Sequence, residues 1–93
     1  MDRLATGFLR ITRVHGHIDP VPAEYQIVFV PLGGRLHDRH ALCQGLDGLT
    51  DFLGRAGVSL PEIERAWQNL MKRRIYSVPR VSLTRAQIEA LRP

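Results

Sequence analysis

Tyr25-Gln26-Ile27-Val28-Phe29-Val30-Pro31-Leu32 is the stretch on which the fold turns. Its β-branched and aromatic side chains favour a pleated strand. Apolar groups fall on both alternating sets of positions, which predicts a central strand covered on both faces, or one that spends its second face on an oligomer contact. Pro31 has no N–H to give to a ladder and must stand at the strand's end. Beyond it, Gly33-Gly34 suits a two-residue hairpin that needs positive φ angles, with Arg35-Leu36-His37 as a short return strand. Upstream, residues 16–24 carry Pro20 and Pro22 and read as a loop. Before that loop, Phe8, Leu9, Ile11 and Val14 sit among Arg10, Thr12 and Arg13, so residues 7–15 read as another strand.

After the sheet-forming half the period changes. Leu42, Leu46, Leu49, Leu53 and Ala56 recur at helical spacing, but Gly45 and Gly48 would each cost about 1 kcal/mol inside a helix. The helix is therefore expected to start at Asp47 as N-cap and to stop at Gly57, a residue suited to the left-handed C′ position. Ser59-Leu60-Pro61-Glu62 has the form of a capping box, with Val58 and Ile63 as its hydrophobic staple. Leu60, Ile63, Trp67, Leu70 and Met71 then make an apolar stripe, and Lys72-Arg73-Arg74 end the helix where positive charge suits its dipole. Residues 76–83 are extended, and Pro79 confines them to an edge or a bulge. Thr84-Arg85-Ala86-Gln87 repeats the capping box, with Leu83 and Ile88 as staple, and opens a short helix that closes the chain at Leu91.

At 93 residues the chain has the size of one domain, since halves would be too small to offset chain entropy with a core. Hydrophobic residues at 44% and charged residues at 24% exclude wholesale disorder and fibrous repeats. No run approaches the roughly 18 apolar residues of a membrane span, and the first residues lack the apolar stretch of a signal peptide. A membrane partner is not expected, and a cytoplasmic setting is. Cys43 is the one cysteine, which excludes an intramolecular disulfide and a cysteine zinc cluster within one chain.

The net charge of +4 and a pI near 10.2 favour an anionic partner. All basic residues except Lys72 are arginine, whose planar fork donates two parallel hydrogen bonds to phosphate. A GC-rich coding sequence produces the same skew, so composition alone does not decide.

Four histidines, His15, His17, His37 and His40, lie near Asp19, Asp38 and Cys43 and invite a metal-site reading. Hairpin pairing opposes it: roughly eight residues at about 3.3 Å each would separate the two histidine pairs. Solvent-facing loop histidines are the plainer reading, and no metal or cofactor is expected. On a helix, His40 and Cys43 would meet as base and thiol, but Cys43 reads more simply as a small core residue. Glu62 and Glu64 stand two apart on a helix and point in different directions. With no nucleophile elbow or phosphate-cradling glycine loop, an enzyme is not expected. A helix-turn-helix over residues 47–70 places Gly57 at its turn, yet Glu62 and Glu64 in its recognition helix would repel phosphates. A plain antiparallel helical pair fits better.

These elements define an α+β fold: a small, mostly antiparallel sheet packed against a helical pair, in the order β-β-(β)-α-α-β-α. If the 76–83 strand lies beside the first strand, Arg10, Arg13, Lys72, Arg73, Arg74 and Arg80 can share one edge and hold phosphates without reading sequence, and Tyr76 can add stacking. The leading expectation is thus a small non-enzymatic, nucleic-acid-binding protein. The alternative is a protein-binding adaptor or inhibitor, encoded by a mobile element or phage, that occludes a host protein. Homodimerisation through the strand between Tyr25 and Leu32 is compatible with either.

Overall fold

A computed structural model describes residues 4–15, 23–33 and 37–92. The elements follow the order β1 (Leu4–His15), β2 (Glu24–Pro31), β3 (Arg39–Gln44), α1 (Gly45–Arg55), α2 (Leu60–Lys72), β4 (Ile75–Thr84) and α3 (Arg85–Glu89). The four strands form one sheet in the order β3-β2-β1-β4, and every neighbouring pair is antiparallel. The α+β architecture with a helical pair is the one the sequence predicts.

β2 is an interior strand, bonded to β1 on one side and β3 on the other. Its N–H and C=O groups therefore serve the sheet, and pairing with a second copy through its backbone is excluded. Its alternation is strict: Tyr25, Ile27 and Phe29 are buried, while Gln26, Val28 and Val30 are only half-buried. β1 alternates likewise, with Leu9 and Ile11 buried and Arg10 exposed between them. The helices α1 and α2 contribute Leu49, Leu53, Ile63, Ala66 and Leu70 to the same buried cluster. The cluster thus lies on the face of the sheet that takes the odd-numbered residues of β1 and β2.

Gly7 makes a tight contact within the sheet. A Cβ there would come 2.3 Å from the Val30 carbonyl oxygen and 2.9 Å from the Phe29 ring. On its other side the β1–β4 register shifts between Gly7 and Leu9. That bulge takes up Pro79, on an edge strand, so the proline obstructs no ladder.

The return strand is Arg39–Gln44, later than the 35–37 expected; residues 34–36 lie outside the described residues, as does loop 16–22. It pairs Phe29 with Arg39 and Glu24 with Gln44, so the connection from β2 is longer than a two-residue turn. Leu42 accordingly sits in a strand. β3 runs directly into α1 because Gly45 adopts φ 70° and its N–H donates to the Ala23 carbonyl at 2.7 Å. The helix starts there, with Gln44 as N-cap, and Asp47 falls in its first turn. Gly48 is tolerated within it: a Cβ would meet the Cys43 side chain at an ordinary 3.7 Å.

Gly57 does end α1 as expected, at φ 82°. The Val58 N–H donates to the Leu53 carbonyl at 3.0 Å and the Gly57 N–H to that of Gly54 at 3.1 Å, the paired bonds of a Schellman turn. Ser59 is the N-cap of α2, but its side chain makes no cap hydrogen bond. Pro61 removes one of the donors such a cap would serve, and Glu62 lines a surface cleft that also includes Arg80. The buried stripe of α2 is Ile63, Ala66 and Leu70; Leu60 and Met71 are exposed at 60% and 72%. Trp67 is half-buried, and its Nε1–H donates to the Thr50 hydroxyl at 3.0 Å. That bond ties the middle of α2 to the middle of α1.

The capping box at α3 forms as predicted. The Gln87 N–H donates to Thr84 Oγ1 at 3.2 Å, and the Thr84 N–H donates to Gln87 Oε1 at 2.8 Å. Gln87 Nε2 donates to the Arg55 carbonyl at 2.7 Å, tying α3 to the end of α1. Past α3 the chain reaches the far edge of the sheet, where His40 and Arg92 exchange backbone hydrogen bonds of 2.9 Å each. Arg39 fastens this closure by donating to the carbonyls of Ile88 and Leu91 at 3.2 and 3.4 Å.

Candidate nucleic-acid interface

β4 lies beside β1, the arrangement a shared basic edge requires. The Arg13 N–H donates to the Arg74 carbonyl at 2.8 Å, so Arg13 stands next to the segment that carries Lys72, Arg73 and Arg74. These last three are exposed because α2 stops at Lys72 and the chain turns into β4 at Ile75. Arg13 points to the helix side, where it shares a cleft with Tyr25, Leu70, Met71 and the carboxylate-bearing Asp47. A cation there also suits the C-terminal end of α2.

Arg10 is opposite Val28 on one side and Ser77 on the other. It is three residues from Arg13, about 10 Å along the strand, and on the opposite, uncovered face. Arg80 stands six residues beyond Arg74, about 20 Å away at strand rise, in the cleft with Gly57, Val58, Ser59 and Glu62. The structure therefore gathers Arg13, Lys72, Arg73 and Arg74 at one end of the sheet, sets Arg10 on the adjoining face, and leaves Arg80 apart beside a carboxylate.

The ion pairs among the described residues are Arg55 with Asp51 at 3.2 Å and Arg85 with Glu89 at 3.0 Å. Both lie within single helices, and neither engages the six basic residues above. Tyr76, expected to add stacking, faces the covered side opposite Ile11 and is half-buried.

The uncovered face has a composition the sequence reading did not single out. β1 contributes Thr6, Phe8, Arg10 and Thr12; β2 contributes Gln26, Val28 and Val30; β3 contributes His40 and Leu42; β4 contributes Ile75, Ser77 and Ser82. Thr6 and Ser82 hydrogen-bond across it at 3.0 Å. Leu42 and Ile75 are 56% and 54% exposed. Among the paired strand positions described on this face, Glu24 at one corner is the one carboxylate. The period-two run Phe8-x-Arg10-x-Thr12 was the available signal.

The other candidate constellations come apart. His40 and Cys43 are three apart on a strand and thus on opposite faces, which removes the thiol–base pairing. Burial, and secondarily the Asp51 charge, pushes the Cys43 thiol up, away from the thiolate that a nucleophile needs. His15 is opposite Glu24 and His40 opposite Val28, four residues and two strand spacings away; His17 lies outside the described residues. No cluster of three or more metal-ligating side chains forms among the described residues, and no described helix is long and apolar enough to cross a membrane.

Comparison with protein-family models, with curated proteins and with solved structures gives no match.

Proposed function

We propose that the protein binds nucleic acid without catalysis, holding the phosphate backbone on the basic end formed by Arg13, Lys72, Arg73 and Arg74. The observation that carries this reading is their gathering at the junction of α2 and β4, with no ion pair from any of the four to a described carboxylate. The exposed Lys72, Arg73 and Arg74 side chains, outside the ion pairs among the described residues, can displace counterions from phosphates, which is the main source of sequence-independent affinity.

Affinity for a generic single strand or duplex should fall steeply with salt. Replacing Lys72, Arg73 and Arg74 together with Ala should flatten the log–log salt dependence by about two to three while the far-UV circular dichroism is unchanged. Arg80→Ala should flatten it by less than about one. Absence of binding at low salt ends the proposal.

The exposed Leu42 and Ile75 favour a second reading, a protein-binding adaptor or inhibitor of the kind mobile elements and phages encode against host proteins. Recovery of a stoichiometric protein partner after nuclease treatment, with no nucleic-acid affinity, would establish it in place of the first.

A further inference from the structure

Resting on the nucleic-acid reading, we infer that the ligand is single-stranded and lies across the uncovered face of the sheet, with a base stacked on Phe8 and a phosphate held by Arg10. Phe8 and Arg10 are two residues apart on the interior strand β1, hence side by side on this face, about 6.6 Å apart along the strand. Every neighbour of Arg10 there is neutral: Phe8 and Thr12 along the strand, Val28 and Ser77 across it. An arginine in the middle of a partly apolar sheet face, with no acid beside it, calls for an anion brought by the ligand.

The same charge opposes a second copy of this chain as the occupant. A two-fold contact centred on the face would oppose Arg10 to its own mate without a carboxylate to separate them. A duplex fits less well, because a phenylalanine ring on a sheet can stack only on unpaired bases. Thr12, Gln26, His40 and Ser77 ring the centre with hydrogen-bonding groups, and the basic cluster begins at the end of the sheet nearest Thr12, where Arg74 stands beside Arg13.

The test measures binding of a labelled single strand of about ten nucleotides, a duplex of the same sequence, and inorganic polyphosphate, which has backbone charge but no bases. The native protein should prefer the single strand to both. Phe8→Leu should weaken single-strand binding by roughly 5- to 100-fold and leave duplex and polyphosphate binding unchanged; Phe8→Trp should restore it. Arg10→Gln should lower the single-strand salt slope by about 0.7. Thermal melting of each variant establishes that it is folded. Unchanged single-strand affinity in folded Phe8→Leu, or a dimer in sedimentation that buries this face, overturns the inference and leaves the basic end standing. Failure of all three ligands to bind at low salt overturns the underlying reading as well.

Discussion

The two faces of the sheet are made by the same strands from alternate residues, and they are chemically unlike. On the helix side β1 presents Leu9 and Ile11, β2 Ile27 and Phe29, and β4 Val78, Val81 and Leu83, all buried. On the other side the intervening positions are Phe8, Arg10 and Thr12, then Gln26 and Val28, then Ser77 and Ser82. The centre of the covered face is apolar because α1 and α2 remove it from water, and the arginines of that face, Arg13 and Arg39, stand at its margins. The uncovered face mixes aromatic, cationic and hydroxyl groups, a composition that a buried layer would not tolerate without partners. A shift of one residue in the sequence therefore moves a substitution from the buried face of the sheet to the uncovered one.

The contrast is sharpest for Phe29→Ala, which empties a fully buried ring position between β1 and β3 and should cost about 3–5 kcal/mol in chemical denaturation. A loss under 1 kcal/mol would mean the covered face is not the core. Gly7→Ala comes next. Its methyl would run into the backbone at Val30 and Pro31, and strand separation of this kind should cost about 1–3 kcal/mol. On the other face, Val28→Thr and Arg10→Gln should each change stability by no more than about 0.5 kcal/mol; larger losses would show that something covers that face.

Much of this layout is legible in the sequence. The run from Tyr25 to Pro31, the Pro79 constraint, the Gly57 stop and the Thr84 capping box each rest on local stereochemistry, and each reappears in the structure. β3 escapes because Leu42, Leu46, Leu49 and Leu53 keep one helical spacing across a strand–helix boundary; the break is a single backbone angle at Gly45. The Ser59 capping box has the right residues in the right order, but hydrogen bonds depend on where the Glu62 side chain finds its best surroundings. The basic residues were identifiable as types, while their grouping depends on sheet register. The extended reading of residues 76–83 already separates Arg80 from Arg74, while the cleft that Arg80 shares with Glu62 depends on how α2 packs against β4. Arg39, a closure for the carbonyls of Ile88 and Leu91, reads from sequence only as one more surface arginine.

The smallest effect is on pH dependence. Burial raises the Tyr25 phenol above its ordinary value of 10.0, opposed by the charge of Arg13, and burial together with Asp51 raises the Cys43 thiol above 9.0. Both groups are largely neutral in folded and unfolded chains below about pH 8. As the pH climbs, the unfolded chain ionises first, so their stabilising contribution is present below about pH 8 and is lost through the raised folded values. Tyr25→Phe with Cys43→Ala should flatten the alkaline limb of a stability–pH curve, and an unaltered limb would assign it to other groups.

Titration of the isotopically labelled protein with a short single strand, followed by amide and methyl chemical shifts, tests the division between the two faces most directly. The account predicts perturbations at Phe8, Arg10, Thr12, Val28 and His40, extending to Arg74, with Leu49, Leu53 and Leu70 unmoved. Perturbations confined to the exposed sides of α1 and α2 would contradict it.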